Sequence, residues 1–151
     1  MNLANRKVYK VNQSQIYTYP TASVVTSGSI TSAAAVLNPN FTIVVTIGTV
    51  NNATTVTLDT PFAFTVDDVL VQMTSAGNSG GTLIVSNTTD AITDAIDLGN
   101  GDTDLQRAGT IDDAYYTFAK DDNDLVLTFA ATEGSTVSTY SCRVIIYVTP
   151  A

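Results

Sequence analysis

The 151-residue sequence contains no histidine, no tryptophan and a single cysteine, Cys142. Without histidine there is no Ser-His-Asp or Cys-His activation of a nucleophile, no imidazole general base and no histidine-ligated zinc. One thiol supplies neither an intrachain disulfide framework nor a thiolate cage for a metal. Phosphate-cradling signatures are missing as well. There is no GxxxxGK[ST] and no GxGxxG, and the "GNSGG" stretch is followed by neither a lysine nor a helical pattern. No apolar run approaches the roughly 18 residues of a membrane-spanning helix. The opening "MNLANRKVYKVNQSQ" has no apolar core of a secretory leader. Neither a membrane nor a cofactor is expected as a partner.

Carboxylates are the remaining chemistry. Asp67-Asp68, Asp112-Asp113 and Asp121-Asp122 are sequence neighbours. Adjacent strand residues point to opposite faces, so such pairs do not act together as acid and base across a cleft. Sugar platforms commonly use tryptophan, leaving Tyr115, Tyr116, Tyr140 and Tyr147 as substitutes. The chain is therefore expected not to be an enzyme.

Calcium is the more serious alternative. In "DLGNGDTD", Asn100, Asp102 and Asp104 have the alternate spacing that begins an EF-hand loop, with Asp97 nearby. The sixth position is Leu105 where glycine is required, and no glutamate stands at the twelfth. The stretch reads more simply as an Asn-Gly turn with solvated aspartates. The acidic knot "KDDND", Lys120 to Asp124, reads as a turn for the same reason, and no metal site is expected.

Charge is scarce and unevenly placed. Charged residues make up 13% and hydrophobic ones 44%, with a net charge of −8. Every acidic residue falls between Asp59 and Glu133, while Arg6, Lys7 and Lys10 precede them all. This is a basic N-terminal arm on an acidic body. Nucleic acid is not an expected partner, because phosphate contacts need clustered cations. The arm's own candidate role is docking on an acidic neighbour, with Arg6, Lys7, Tyr9, Lys10, Tyr17 and Tyr19 as contacts. The alternative is a first strand followed by a loop.

What the sequence does have is strand grammar. Threonine, valine and isoleucine abound, whereas lysine occurs three times and glutamate once, which favours strands over helices. "FTIVVTIGTV" alternates with Phe41, Ile43, Val45 and Ile47 on one face. Val69, Val71 and Met73 share a face, and so do Cys142, Val144, Ile146 and Val148. Ile145 and Tyr147 make the opposite face of that last strand apolar too, which marks it as central or as a subunit contact. "TTDAITDAIDLGNGD" fits a short helix or a strand, and its surroundings favour the strand. Ala114, Tyr116 and Phe118 can meet Leu125, Leu127 and Phe129 if the acidic knot closes a hairpin.

The pattern predicts an all-β fold of roughly eight to ten strands, an antiparallel β-sandwich of jelly-roll type. An extended arm is expected over residues 1–40 and the sandwich over residues 41–151.

The segment "RAGTIDDAYYTFAKDDNDLVLTFAATEGSTVSTYSCRVIIYVTPA" resembles the C-terminal part of small virion proteins of tailed bacteriophages, the capsid decoration (cement) proteins and related head-fibre domains. The shared features are a GTIDDAY-like strand, an acidic turn, a threonine-rich strand and a last strand ending in "VTP". The resemblance covers about the last third of the chain and carries no catalytic or ligand residue with it. It implies a non-enzymatic protein on the capsid exterior that contacts the major capsid protein and forms a homo-oligomer, a trimer by preference. The competing expectation is a receptor- or glycan-binding module of a head or tail fibre, using loops such as "GNSGG" and "GNGD".

Overall fold

The computed structural model describes residues 17–19, 29–30, 33–38, 40–51, 54–60, 62–75, 81–98, 105–120, 122–131 and 140–151. These residues form strands and their connections, with no helix among them. The strands are β1 (Tyr17–Tyr19), β2 (Ser29–Ile30), β3 (Ala33–Asn38), β4 (Thr42–Asn51), β5 (Thr54–Leu58), β6 (Phe64–Ser75) and β7 (Gly81–Asn87). They continue as β8 (Asp90–Ala91), β9 (Ile96–Asp97), β10 (Leu105–Arg107), β11 (Thr117–Phe118), β12 (Leu125–Ala131) and β13 (Tyr140–Pro150).

The antiparallel pairs are nested in sequence. β7 pairs with β8 and β9, β6 with β10 and β11, β5 with β12, and β4 with β13. Such nesting is one long hairpin. Lateral pairing of β13 with β6 and of β12 with β7 then rolls it into two sheets. The larger sheet runs β1-β3-β4-β13-β6-β10, with β2 on β4 and β11 on β6; the smaller runs β5-β12-β7-β8, with β9 on β7. This is the expected jelly roll.

Alternation builds the core. Ile43, Val45 and Ile47 of β4 and Cys142, Val144, Ile146 and Val148 of β13 are buried. Val56 and Leu58 of β5 and Leu125, Leu127 and Phe129 of β12 come from the smaller sheet into the same cluster. Burying each such aliphatic or aromatic side chain is worth roughly 1.5–3 kcal/mol. Phe64 stacks on Phe118 with ring centroids 4.9 Å apart, and Phe62 tilts against Phe64 at 5.3 Å.

β6 is a single strand of 12 residues, although its period breaks in the middle. Phe64 and Val66 point inward, then Val69, Val71 and Met73 do, one residue out of phase. A β-bulge absorbs the slip: Tyr147 pairs with Asp68 and Val148 with Val66, leaving Asp67 as the extra residue. Side chains close it, with Asp68 Oδ1 accepting from the Val69 N–H at 2.9 Å and Asp67 Oδ2 accepting from Thr149 Oγ1 at 2.7 Å.

The described part of the stretch that fitted either a helix or a strand, residues 88–98, holds no helix. It forms β8 and β9 and buries Ile92, Ile96 and Leu98. β13 is central, lying between β4 and β6. Within the expected arm, β1, β2 and β3 all pair into the larger sheet, and β3 matches β4 over its whole length.

Three expectations are corrected. Phe41 does not share the inward face of β4. It is 45% exposed, at the end of the turn Asn38–Phe41, with φ of 57°. The turn closes through Phe41 N–H donating to Asn38 O at 3.0 Å, which leaves its last residue left-handed. Second, β11 and β12 do not form a hairpin. β11 pairs with β6 in the larger sheet and β12 lies between β5 and β7 in the smaller one, so the chain changes sheets between Phe118 and Leu125. Phe118 therefore lies opposite Phe64, while Leu125, Leu127 and Phe129 approach the core from the other side. Alternation reports which face a residue occupies, and is silent on which sheet. Third, the GTIDDAY stretch is not a strand. Ile111 makes one isolated bridge with Thr93, and Asp112 to Tyr115 is a turn in which Asp112 Oδ1 accepts from the Ala114 N–H at 2.8 Å.

Candidate interaction face

The larger sheet has an outward face whose composition differs from an ordinary solvated one. Val44 stands between the buried Ile43 and Val45, Ile145 between Val144 and Ile146, Leu70 between Val69 and Val71. Alternation therefore sends Val44, Ile145 and Leu70 outward, along with Val36 beside the buried Ala35. The register lines these residues up: Val36 opposes Val44, Val44 opposes Ile145, Ile145 opposes Leu70, and Leu70 opposes Arg107. Four aliphatic side chains thus cross four neighbouring strands as one continuous, partly exposed row.

Polar rows flank it. On one side Thr46, Arg143, Gln72 and Leu105 are directly paired in turn, with Leu105 57% exposed. On the other side Thr42 pairs with Tyr147 and Tyr147 with Asp68, with Tyr147 40% exposed. Asp68 Oδ1 also accepts from Arg107 Nε at 3.0 Å, and that hydrogen bond and charge raise the guanidinium pKa above its ordinary value. An apolar centre with a rim of Thr, Gln, Arg and Tyr has the composition of a protein–protein contact. Among the described residues the second layer of the sandwich lies only on the inner side of this sheet.

The residues singled out from the sequence distribute as follows. Arg6, Lys7, Tyr9 and Lys10 lie outside the described residues. Tyr17 and Tyr19 lie on β1, at register positions opposite Leu37 and Ala35. Asn100, Asp102 and Asp104 also lie outside the described residues, while Asp97 is exposed on β9. Among the described residues no group of three His, Cys, Asp or Glu can hold a metal ion.

The acidic knot is a clasp. Asn123 Oδ1 accepts from the Ala119 N–H at 3.0 Å, and Thr60 Oγ1 lies 2.9 Å from Ala119 O and 2.6 Å from Asn123 O. Asp124 is tied to Thr88 twice. The Thr88 N–H donates to Asp124 O at 2.7 Å, and the Asp124 N–H donates to Thr88 Oγ1 at 3.3 Å. Those bonds hold Thr88 at φ of 55°, a left-handed conformation rarely adopted by a β-branched residue. Nearby, the buried Asn87 uses Nδ2 to reach Tyr115 O at 3.0 Å and Thr117 O at 2.8 Å. Thr60, Thr88 and Asn87 were not singled out from the sequence. Their neighbours in space lie 28 to 63 residues away, so no local pattern marks them.

Cys142 is fully buried, and burial pushes its thiol pKa up to about 12. A thiol so held is neither a nucleophile nor a redox handle at neutral pH.

The comparisons with known proteins add no identity: no protein-family model matches the chain, and no curated protein matches it.

Proposed function

We propose that this chain is a non-enzymatic structural protein of a tailed-bacteriophage virion. It binds the outer surface of the capsid and stabilises the shell as a decoration or cement protein. The observation that carries the reading is the continuous, partly exposed outward row Val36–Val44–Ile145–Leu70, which is apolar where a solvated sheet would present polar residues. The absence of histidine and the resemblance of residues 107–151 to decoration and head-fibre proteins point the same way. The partners are the major capsid protein and further copies of the chain, with a trimer favoured by the resemblance. A protein that binds the assembled shell and not its free subunits stabilises assembly by mass action, about 2.7 kcal/mol per site at a concentration 100-fold above its dissociation constant. The glycan-binding alternative rests on the GNSGG and GNGD loops, residues 77–81 and 99–102, which apart from Gly81 lie outside the described residues.

The test uses virions of the phage whose genome encodes the chain. Peptide mass spectrometry of purified particles is expected to find it in many copies, and cryo-electron microscopy to place it on the shell exterior. Particles made without it are expected to burst at lower temperature. Particles that lack the chain in the wild type, or that carry it only on a fibre tip, overturn the proposal.

A further inference from the structure

We infer that the outward face of the larger sheet is where a second copy of this chain docks. This deepens the oligomer part of the reading above and rests on it for its setting. The argument comes from charge. A body of net charge −8 repels its own copies. It can associate with itself only through a face that brings no excess of negative charge into the contact.

The larger sheet's outward face meets that condition. Among the described residues it carries Arg107 and Arg143 against Asp67 and Asp68, two charges of each sign. Ten acidic residues are described, and the other eight all lie elsewhere, on the smaller sheet and the connections, against Lys120 alone. The neutral face and the apolar row therefore coincide. The acids of the neutral face are also engaged: Asp68 accepts from Arg107 and Asp67 from Thr149. A strongly basic partner would be drawn to the acidic remainder instead. Apolar surface free of net charge is what a second acidic copy requires, because burial supplies the attraction and no uncompensated carboxylate must be desolvated.

The smaller sheet is an internal control. Its outward positions alternate aliphatic with hydroxyl residues. Thr57 opposes Val126, which opposes Ser86, and Thr55 opposes Thr128, which opposes Ile84. No continuous apolar row forms there among the described residues.

The experiment is light scattering and sedimentation velocity on the whole chain, with variants on the two outward faces. The wild type is expected to run above monomer mass at micromolar concentration. Leu70→Lys and Ile145→Lys are each expected to run as monomers with unchanged circular dichroism and the melting temperature of the dissociated wild type. Thr128→Lys, on the smaller sheet, is expected to keep the wild-type mass. The milder Ile145→Thr keeps a β-branched residue in the strand and is expected to weaken association at least tenfold, which guards against a lysine variant that fails to fold. A wild type that stays monomeric over the accessible range overturns the inference, as do oligomers that persist in the folded Leu70→Lys and Ile145→Lys variants. Binding to purified phage capsids separates the two readings. A monomeric wild type that still binds capsids sinks the docking face and leaves the decoration reading standing. Oligomers that depend on Ile145 but bind no capsid do the reverse.

Discussion

The two sheets of this sandwich obey the same rule on their inner faces and different rules on their outer ones. Inside, Ile146 of β13 and Leu127 of β12 are both fully buried in one core cluster. Outside, the smaller sheet places each aliphatic residue beside threonine or serine, as in Thr57–Val126–Ser86. The larger sheet instead runs Val36–Val44–Ile145–Leu70 without a polar interruption. β-Propensity favours Thr and Val about equally at such positions. The difference is therefore not a need of the strand. It is a property of the surface, and on the docking proposal it marks the face that meets a second copy.

The sharpest way to break that comparison is to mutate one strand on both sides. Ile146→Ala is expected to cost about 2–5 kcal/mol of unfolding free energy, and Leu127→Ala about the same, because each leaves a cavity in the shared core. Ile145→Ala, adjacent in sequence, is expected to cost under about 1 kcal/mol in the dissociated chain, the range of a surface substitution, while weakening association. Chemical denaturation at concentrations below dissociation checks all three. If Ile145→Ala costs as much as Ile146→Ala there, the row is covered within the chain, and the contrast between the sheets says nothing about a partner.

A second test asks how well the larger sheet's inner face is sealed. The Cys142 thiol is held protonated, with its pKa raised to about 12 by burial, while the unfolded thiol titrates near 8.5. A raised pKa means that the folded state keeps a proton which the unfolded state releases. The resulting stability is intact below the unfolded pKa and is lost as pH climbs toward the folded one. Between pH 8 and 10 the wild type is expected to lose roughly 2 kcal/mol more than Cys142→Ala, by linkage at about 1.4 kcal/mol per pH unit. Urea titrations at the two pH values measure it. Equal losses in both proteins would mean that solvent reaches the thiol in the native state.

How much of this was legible beforehand follows from the range of each interaction. The faces of β4 and β13, the central place of β13 and the jelly-roll class all come from period-two alternation, which is local. The apolar patch at Ile145 and Tyr147 was visible on one strand. Its continuation through Val36, Val44 and Leu70 depends on register between strands up to about a hundred residues apart, and alternation carries no register information. The acidic knot was recognisable as a turn from its Asp and Asn residues. That it joins two sheets, clasped by Thr60 and Thr88, was hidden because identical side-chain alternation suits a hairpin or a crossover. Phe41 was misplaced by extrapolating alternation one residue past the strand into a turn.

Phe41 supplies the smallest effect and tests whether exposed apolarity alone makes an interface. It is 45% exposed, and its left-handed φ of 57° is one that costs an L-residue roughly 1–2 kcal/mol. Glycine adopts that conformation freely, at the expense of a more flexible unfolded chain worth about 0.5–1 kcal/mol. The side chain lies at the end of the Asn38–Phe41 turn, off the apolar row, and truncation removes the buried part of the ring, a little over half of it, at roughly 25 cal/mol per Å². Relief of strain and loss of burial oppose each other, so Phe41→Gly is expected to shift unfolding free energy by about 1 kcal/mol or less and to leave the association constant unchanged. A thermal melt and a sedimentation run measure the two quantities. Intact association would restrict the contact to the row itself. A loss of association with stability kept would show that the strained phenylalanine is held in place as part of the contact, and would extend the docking face to the end of the β3–β4 turn.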